Sequence, residues 1–123
     1  MAKTEGRFPG EFIVSEGNGT ISRETVTIVS GAGVITPGMV LGKITTGGKY
    51  TPFAPGASDG SQTAAVIAYG KVDATSADAS CVVIMRYAEV NASELNWGSA
   101  TAGQITTGLA SLATATIFAR TGV

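Results

Sequence analysis

The turn residues in one stretch decide the fold class. Residues 36–51 read Thr-Pro-Gly-Met-Val-Leu-Gly-Lys-Ile-Thr-Thr-Gly-Gly-Lys-Tyr-Thr. Proline sets the backbone φ of a turn and glycine accepts a positive φ, so Pro37-Gly38 predicts a tight turn. Gly47-Gly48 then separates two short β-type runs, which is typical of a hairpin. The stretch therefore predicts β structure with closely spaced turns.

Short apolar or alternating runs continue on both sides of this hairpin. They occupy residues 23–29, 64–69, 80–87 and 114–119. An alternating run predicts a half-buried strand, whereas a continuous apolar run predicts a strand buried on both faces. Residues 80–87 are the strongest β run, and we expect the second kind of burial there for Cys81, Val82, Val83 and Ile84.

A single weak helix is expected near residues 100–109, where alanine favours a helix but threonine and glycine oppose it. Residues 91–97 read as a short helix or a turn. Together these patterns predict a mainly β fold with a short helix, which is a small α+β arrangement. We expect one compact β-rich domain over residues 21–123, preceded by an extended N-terminal arm.

The composition limits how such a domain can be stabilised. The chain has 123 residues, of which 17 are glycine and one is cysteine. A domain of this size buries only about two-thirds of its unfolded surface, and each glycine adds conformational entropy that is lost on folding. A disulfide within one chain needs two cysteines and is excluded. We therefore expect an oligomer or a bound partner in the stable state.

Residues 1–20 differ from the rest of the chain. Charged residues of both signs are mixed there with four apolar side chains, which are Phe8, Phe12, Ile13 and Val14. A segment of this composition builds no core of its own, and Gly17-Asn18-Gly19 marks a turn or hinge behind it. Two interpretations stay open. The segment is either a frayed terminus or an arm that orders on a partner by adding a strand to a sheet edge.

Side chains that carry catalysis are scarce. The chain has no histidine, which removes the commonest general base near neutral pH and most zinc sites. Cys81 lies in an apolar run, where a thiol is usually a buried hydrophobe. Asp73 and Asp78 lack the ligand spacing of a calcium loop, and no glycine-rich segment matches a phosphate-binding motif. We expect no enzyme activity, no cofactor and no metal site.

The charge pattern argues against two classes of partner. Eight basic and nine acidic residues are spread along the chain and give a net charge of −1. No basic run marks a nucleic-acid interface, and the apolar segments are too short to span a bilayer. The N-terminus has no apolar run behind its charges, so it does not read as a secretory signal. We expect no nucleic-acid or membrane partner, and synthesis in the cytoplasm.

Three residues near the end of the strongest predicted strand are candidates for a subunit contact. Arg86 and Glu89 flank the end of that strand. They form either an exposed ion pair or a cross-subunit pair in an oligomer. Trp97 is an anchor of either the core or an interface.

An ordered set of motifs runs through residues 22–97. It consists of Thr-Pro-Gly at 36–38, Gly-Lys-Tyr at 48–50, Asp-Gly at 59–60, apolar strands at 65–67 and 82–90, Leu95 and Trp97. This set resembles the lambda-type bacteriophage head decoration family. The resemblance implies a β-rich homotrimer on the outer surface of the expanded head, at local three-fold positions. Such a trimer would contact the major capsid protein and resist the force of packaged DNA without touching the DNA.

The same resemblance assigns a role to the arm. It implies that residues 1–20 carry the capsid contacts, with Phe8, Phe12, Ile13 and Val14 as apolar anchors. The main alternative is another virion β-module, from a tail or fibre, that binds a receptor or a glycan. A small hydrolytic enzyme is a further alternative, which the missing histidine disfavours.

Overall fold

Short strands joined by turns make up most of the chain in this computed structural model, which describes residues 12–16 and 19–120. In that part of the chain the strands are β1 (Ile13–Glu16), β2 (Arg23–Ile28), β3 (Gly33–Ile35), β4 (Val40–Lys43), β5 (Tyr50–Pro52), β6 (Ala64–Ala68), β7 (Val72–Ala74), β8 (Ala79–Ile84), β9 (Ala88–Asn91) and β10 (Ile117–Arg120). The helices are α1 (Gly19–Ser22), a 3₁₀ turn (Ala92–Glu94) and α2 (Ala102–Thr114). The prediction of a mainly β domain with a short helix is confirmed.

Five strands close into a barrel in the order β2-β5-β4-β6-β8. The longest ladder joins β2 to β8 in antiparallel fashion and begins with Arg23 opposite Ile84. The predicted hairpin is formed by β4 and β5, with Lys43 opposite Tyr50, and is confirmed. A parallel contact between β2 and β5, where Ile28 pairs with Tyr50, completes the closure. Closure leaves the barrel without a free sheet edge.

A second layer lies beside the barrel. It consists of the sheet β1-β9-β10, in which β1 is antiparallel and β10 is parallel to β9. It also contains α2, which packs on β6 and β10. β3 and β7 form a separate antiparallel ribbon. The first and last described strands therefore flank the same central strand.

The barrel strands β6 and β8 are buried on both faces where the second layer covers them. Val66 and Val83 belong to the core inside the barrel, whereas their neighbours Ile67 and Ile84 belong to the core under the second layer. Val82 is 36% exposed, so the prediction of its burial was wrong. It lies just before the β8 residues that pair with β6, and it lies opposite Thr25 of β2.

The core under the second layer is here called the outer core. Its buried members are Phe12, Val40, Ala64, Ile67, Ile84, Ala88, Val90, Leu95, Trp97, Leu112 and Ile117. Phe53 packs against it and meets Trp97 edge to face, with 5.4 Å between the ring centroids. This geometry is favourable for aromatic rings because the positive edge of one ring faces the negative face of the other. The outer core thus joins the barrel, the sheet and α2.

Helix α2 is stabilised by its N-terminal cap and by burial near its C-terminus. The Thr101 hydroxyl accepts a hydrogen bond from the Gln104 amide, and the Gln104 side chain accepts one from the Thr101 amide. This reciprocal pair is a capping box. Leu112 is buried, so packing extends the helix to Thr114, beyond the end predicted at residue 109. No helix of the described residues is long and apolar enough to cross a membrane.

One carboxylate stabilises the shortest ladder of the barrel. Asp78, just before β8, accepts hydrogen bonds from the Lys49 ammonium at 2.6 Å and from the Ser30 amide at 2.8 Å. The bond from Lys49, followed by that from Ser30, lowers the pKa of Asp78. Ser30 follows β2 and Lys49 precedes β5, so Asp78 connects the two strands that share a single residue pair.

The Gly108→Ala substitution tests how closely α2 packs on Trp97. A Cβ at Gly108 would lie 2.9 Å from Cη2 of Trp97, whereas a Cβ at Gly103 in the same helix meets nothing within 4 Å. Overpacking a core costs about 1–3 kcal/mol, which exceeds a gain in helix propensity of at most about 1 kcal/mol. We expect urea denaturation to show lower stability for Gly108→Ala and equal or higher stability for Gly103→Ala. Equal stabilities of the two variants would contradict this packing.

The Asp78→Asn substitution tests the closure of the barrel. Because the folded-state pKa of Asp78 is lowered, its ionised form stabilises the fold above the unfolded pKa of about 4. That contribution is lost as the pH falls through the folded-state pKa. We expect the variant to be less stable than the wild type at pH 7, with the difference shrinking in denaturation curves taken down to about pH 2. An undiminished difference in acid would show that ionisation of Asp78 is not the cause.

Candidate partner-binding surface

The N-terminal strand is attached to the domain through a buried aromatic side chain. Phe12 is 1% exposed and belongs to the outer core. Its carbonyl accepts a hydrogen bond of 2.8 Å from the Asn91 amide, and Ile13 pairs with Val90 in the ladder to β9. β1 is therefore a strand of the domain's own sheet. Residues 1–11 join the domain at this point.

The four predicted arm residues have different positions. Phe12 is buried, Ile13 is half-buried against the outer core, and Val14 is exposed at a β-bulge between Ile13 and Ser15. Phe8 lies outside the described residues. Of the three that the structure describes, Val14 is the one presented to solvent. Capsid contacts by these residues stay a prediction.

Arg86 does not pair with Glu89. Its Nη1 donates to the Ile21 carbonyl at 2.6 Å, and its Nη2 forms an ion pair with Glu24. The amide of Arg86 also donates to the carbonyl of Ser22, at 3.4 Å. These bonds hold α1 and the start of β2 against the end of β8. A cross-subunit role for Arg86 stays a prediction.

Glu89 connects the three strands of the β1-β9-β10 sheet. It accepts hydrogen bonds from Arg120 of β10 at 2.6 Å and from Ser15 of β1 at 3.1 Å. The bond from Arg120, followed by that from Ser15, lowers the pKa of Glu89. Ser15 and Phe118 are both register partners of Glu89, so all three lie on the face of the sheet that points away from the outer core. A subunit contact through Glu89 stays a prediction.

Trp97 is a core residue in this chain. Its ring is buried between Phe53 and Gly108 of α2. The neighbouring Asn96 carbonyl accepts a hydrogen bond of 3.0 Å from the Val40 amide, which fixes the backbone beside the ring. The core alternative predicted for Trp97 is therefore observed. An additional role in a subunit contact stays a prediction.

Tyr87 and Thr116 form a strained corner just before β9 and β10. Their φ angles are 56° and 62°, which aromatic and β-branched residues rarely adopt. The Tyr87 amide donates to Oγ1 of Thr116 at 2.9 Å, and the Ala88 amide donates to the Thr116 carbonyl at 3.1 Å. The Tyr87 carbonyl accepts a bond of 3.0 Å from the buried Ser22 hydroxyl. Such strain typically costs about 1–3 kcal/mol per residue and is concentrated at functional sites.

Several large apolar side chains are exposed on or beside the same sheet. They are Val14, Ile21, Tyr87 and Phe118. Of these four, the sequence analysis identified Val14. The alternation in residues 114–119 could have identified Phe118, since it places Phe118 on the opposite face from the buried Ile117. No local pattern marks Ile21 or Tyr87, because their exposure follows from contacts between distant segments.

The side chains considered for chemistry in the sequence make local contacts in the described part of the chain. No group of three His, Cys, Asp or Glu side chains there could hold a metal ion. Asp73 accepts a hydrogen bond from the Thr75 amide in its own turn, at 2.9 Å. Cys81 is buried, and desolvation raises the pKa of its thiol. These groups serve the fold.

An open groove lies between the loop after β5 and the first turns of α2. Its lining residues are Pro55, Gln62, Thr101, Gly103, Gln104 and Thr107. The side chains of Thr101 and Gln104 are already used in the capping box. None of the lining residues is ionisable, so the groove offers no acid, base or charged ligand. The exposed face of the β1-β9-β10 sheet is the better candidate for a binding surface.

Comparison with known proteins identifies the family. The family described as bacteriophage lambda head decoration protein D matches residues 2–117. A search of the curated proteins finds no significant match. The matched range includes the segment before β1, the whole barrel and α2. The chain therefore belongs to the bacteriophage lambda head decoration protein D family.

Proposed function

We propose that this protein binds the outside of the expanded phage head as a homotrimer and stabilises the shell against the pressure of packaged DNA. The trimers occupy local three-fold positions and contact the major capsid protein. The family match over residues 2–117 is the observation on which the proposal rests. The closed barrel supports it, because a decoration protein that resists force needs a stiff body.

A trimer suits this role because several weak contacts act together. Linking binding events raises the overall affinity by about 10² to 10⁴ without any new kind of contact. Each subunit is a small domain whose stability is marginal by size alone, so association also stabilises the subunits. A trimer that spans several capsid subunits then resists their separation.

Within each subunit we assign the arm's capsid contacts to residues 1–11, with Phe8 as an apolar anchor, and to the exposed Val14. Phe12 and Ile13 pack in or against the outer core. Removing a buried phenylalanine from a core costs about 3–5 kcal/mol. We therefore assign Phe12 to the attachment of the arm to the domain, here called the root of the arm, and not to a capsid contact. A fixed root also reduces the entropy lost when residues 1–11 order on the shell.

Deletion of residues 1–11 tests the arm. We expect the truncated protein to keep the mass in solution and the unfolding free energy of the full chain, because the deletion leaves every described member of the outer core in place. We expect it to lose co-sedimentation with expanded phage shells, while the full chain sediments with expanded shells and much less with unexpanded ones. Shell binding by the truncated protein would contradict the arm assignment. Failure of the full chain to bind any shell would contradict the proposed function itself.

Two matched substitutions distinguish the root of the arm, at Phe12, from its capsid contact, at Phe8. Phe12→Ala should lower the unfolding free energy by about 3–5 kcal/mol, because it opens a cavity in the outer core. Phe8→Ala should leave the unfolding free energy unchanged and weaken shell binding. Urea denaturation and co-sedimentation of both variants provide the measurements. The opposite pattern, with Phe8→Ala unstable and Phe12→Ala stable, would show that the root is misplaced.

A further inference from the structure

The exposed large apolar side chains on or beside the β1-β9-β10 sheet are here called the sheet patch. Its members are Val14, Ile21, Tyr87 and Phe118. Tyr87 is 54% exposed and Phe118 is 46% exposed. Large aromatic side chains left in solvent on a small domain are a common mark of a contact surface, since aromatic residues contribute much of the energy of protein interfaces.

Hydrogen bonds and register place the four residues together. Phe118 on β10 is the register partner of Glu89 on β9. The bulge that carries Val14 is on β1, which pairs with the other edge of β9. Strands β9 and β10 begin with the pair Ala88 and Ile117. Tyr87 and Thr116 come immediately before this pair, and the Tyr87 amide donates a hydrogen bond to the Thr116 hydroxyl. The Tyr87 carbonyl accepts from the hydroxyl of Ser22, which brings the end of α1, with Ile21, beside Tyr87. Tyr87 and Phe118 therefore lie at the same end of neighbouring strands, and the bonded Glu89 stands between Phe118 and Ser15 on the same sheet face.

The backbone holds Tyr87 in place before any partner binds. Its amide and its carbonyl are both bonded, to Thr116 and to the buried Ser22. A side chain presented from a fixed backbone loses less entropy on binding than one on a free loop. This rigidity explains why a strained conformation with an exposed tyrosine is useful at this position.

Two ion pairs of the described residues lie beside the sheet patch. Arg86 pairs with Glu24, and Arg120 pairs with Glu89. Covering a charge without a partner is costly, whereas a paired charge can be covered at lower cost. The sheet patch is thus suited to an apolar partner surface with little net charge.

The position of the N-terminal segment identifies the occupant. Residues 1–11 join the domain at Phe12, at the start of β1. β1 is the edge strand of the sheet that bears the sheet patch. A partner that binds these eleven residues is therefore brought next to the sheet patch.

We propose that the sheet patch is a second contact surface for the major capsid protein, in addition to the arm. This inference rests on the proposed function. It assigns an apolar, charge-balanced area of the capsid protein to Tyr87 and Phe118. The arm and the sheet patch then bind one partner together, so each needs only a modest affinity.

A double variant with a matched control tests the inference. Tyr87→Asn removes the ring and keeps a residue that tolerates positive φ, and Phe118→Thr keeps a residue that favours strands. The control combines Val34→Thr and Val82→Thr, which remove side chains that are 47% and 36% exposed on strands β3 and β8, away from the sheet patch. We expect the Tyr87/Phe118 variant to bind expanded shells more than about tenfold more weakly than the wild type, and the control to bind as the wild type does.

The mass in solution and the thermal midpoint of both variants complete the test, and we expect both to match the wild type. Unchanged shell affinity of the Tyr87/Phe118 variant would overturn the inference. A reduced mass would also overturn it, because the sheet patch would then be a contact between copies of this chain. Faster proteolysis of residues 1–11 in the free variant would overturn it too, since those residues would then cover the patch. If the wild type binds no shell, the proposed function fails first.

Discussion

The burial of Phe12 in the outer core is the interaction on which the rest of this account depends. Phe12 shares that core with Val90 and Leu112, and its burial fixes β1 on β9. The point at which residues 1–11 join the domain is fixed with it. The outer core is closed by α2, which reaches Trp97 because residue 108 has no side chain. The close contact between α2 and the Trp97 ring therefore stabilises the core to which Phe12 attaches the N-terminal segment.

The two layers of the domain have different roles. The barrel is closed, and Asp78 reinforces its shortest ladder. The second layer bears the attachment of the N-terminal segment, and four exposed apolar side chains lie on it or beside it. Both non-glycine residues with positive φ in the described part of the chain, Tyr87 and Thr116, also lie there. Strain and exposed apolar surface are costly, so their coincidence on one layer supports a binding role for that layer.

Local sequence patterns predicted β2, β6, β8, the β4–β5 hairpin and a helix in the region of α2, and the ordered motifs suggested the family. They could not predict which distant segments pair, because strand pairing depends on contacts that periodicity does not encode. Phe12 in the outer core is one such contact, and the ion pairs of Arg86 with Glu24 and of Glu89 with Arg120 are others. The exposure of Val82 was missed for the same reason. A run of apolar residues predicts that a strand is largely buried, but it does not show which of those residues the rest of the fold leaves exposed.

Amide hydrogen exchange tests whether the domain's own sheet begins at Phe12, with residues 1–11 ordering on the shell. It would be measured residue by residue on the free protein and on the protein bound to expanded shells. The account predicts that the hydrogen-bonded amides of β1 and β9 are protected to a similar degree in the free protein, because both strands share one sheet. We also expect the amides of residues 2–11, apart from Pro9, to gain protection on the shell. Amides of β1 that exchange like those of an unfolded peptide, in a free protein whose β9 is protected, would contradict the account.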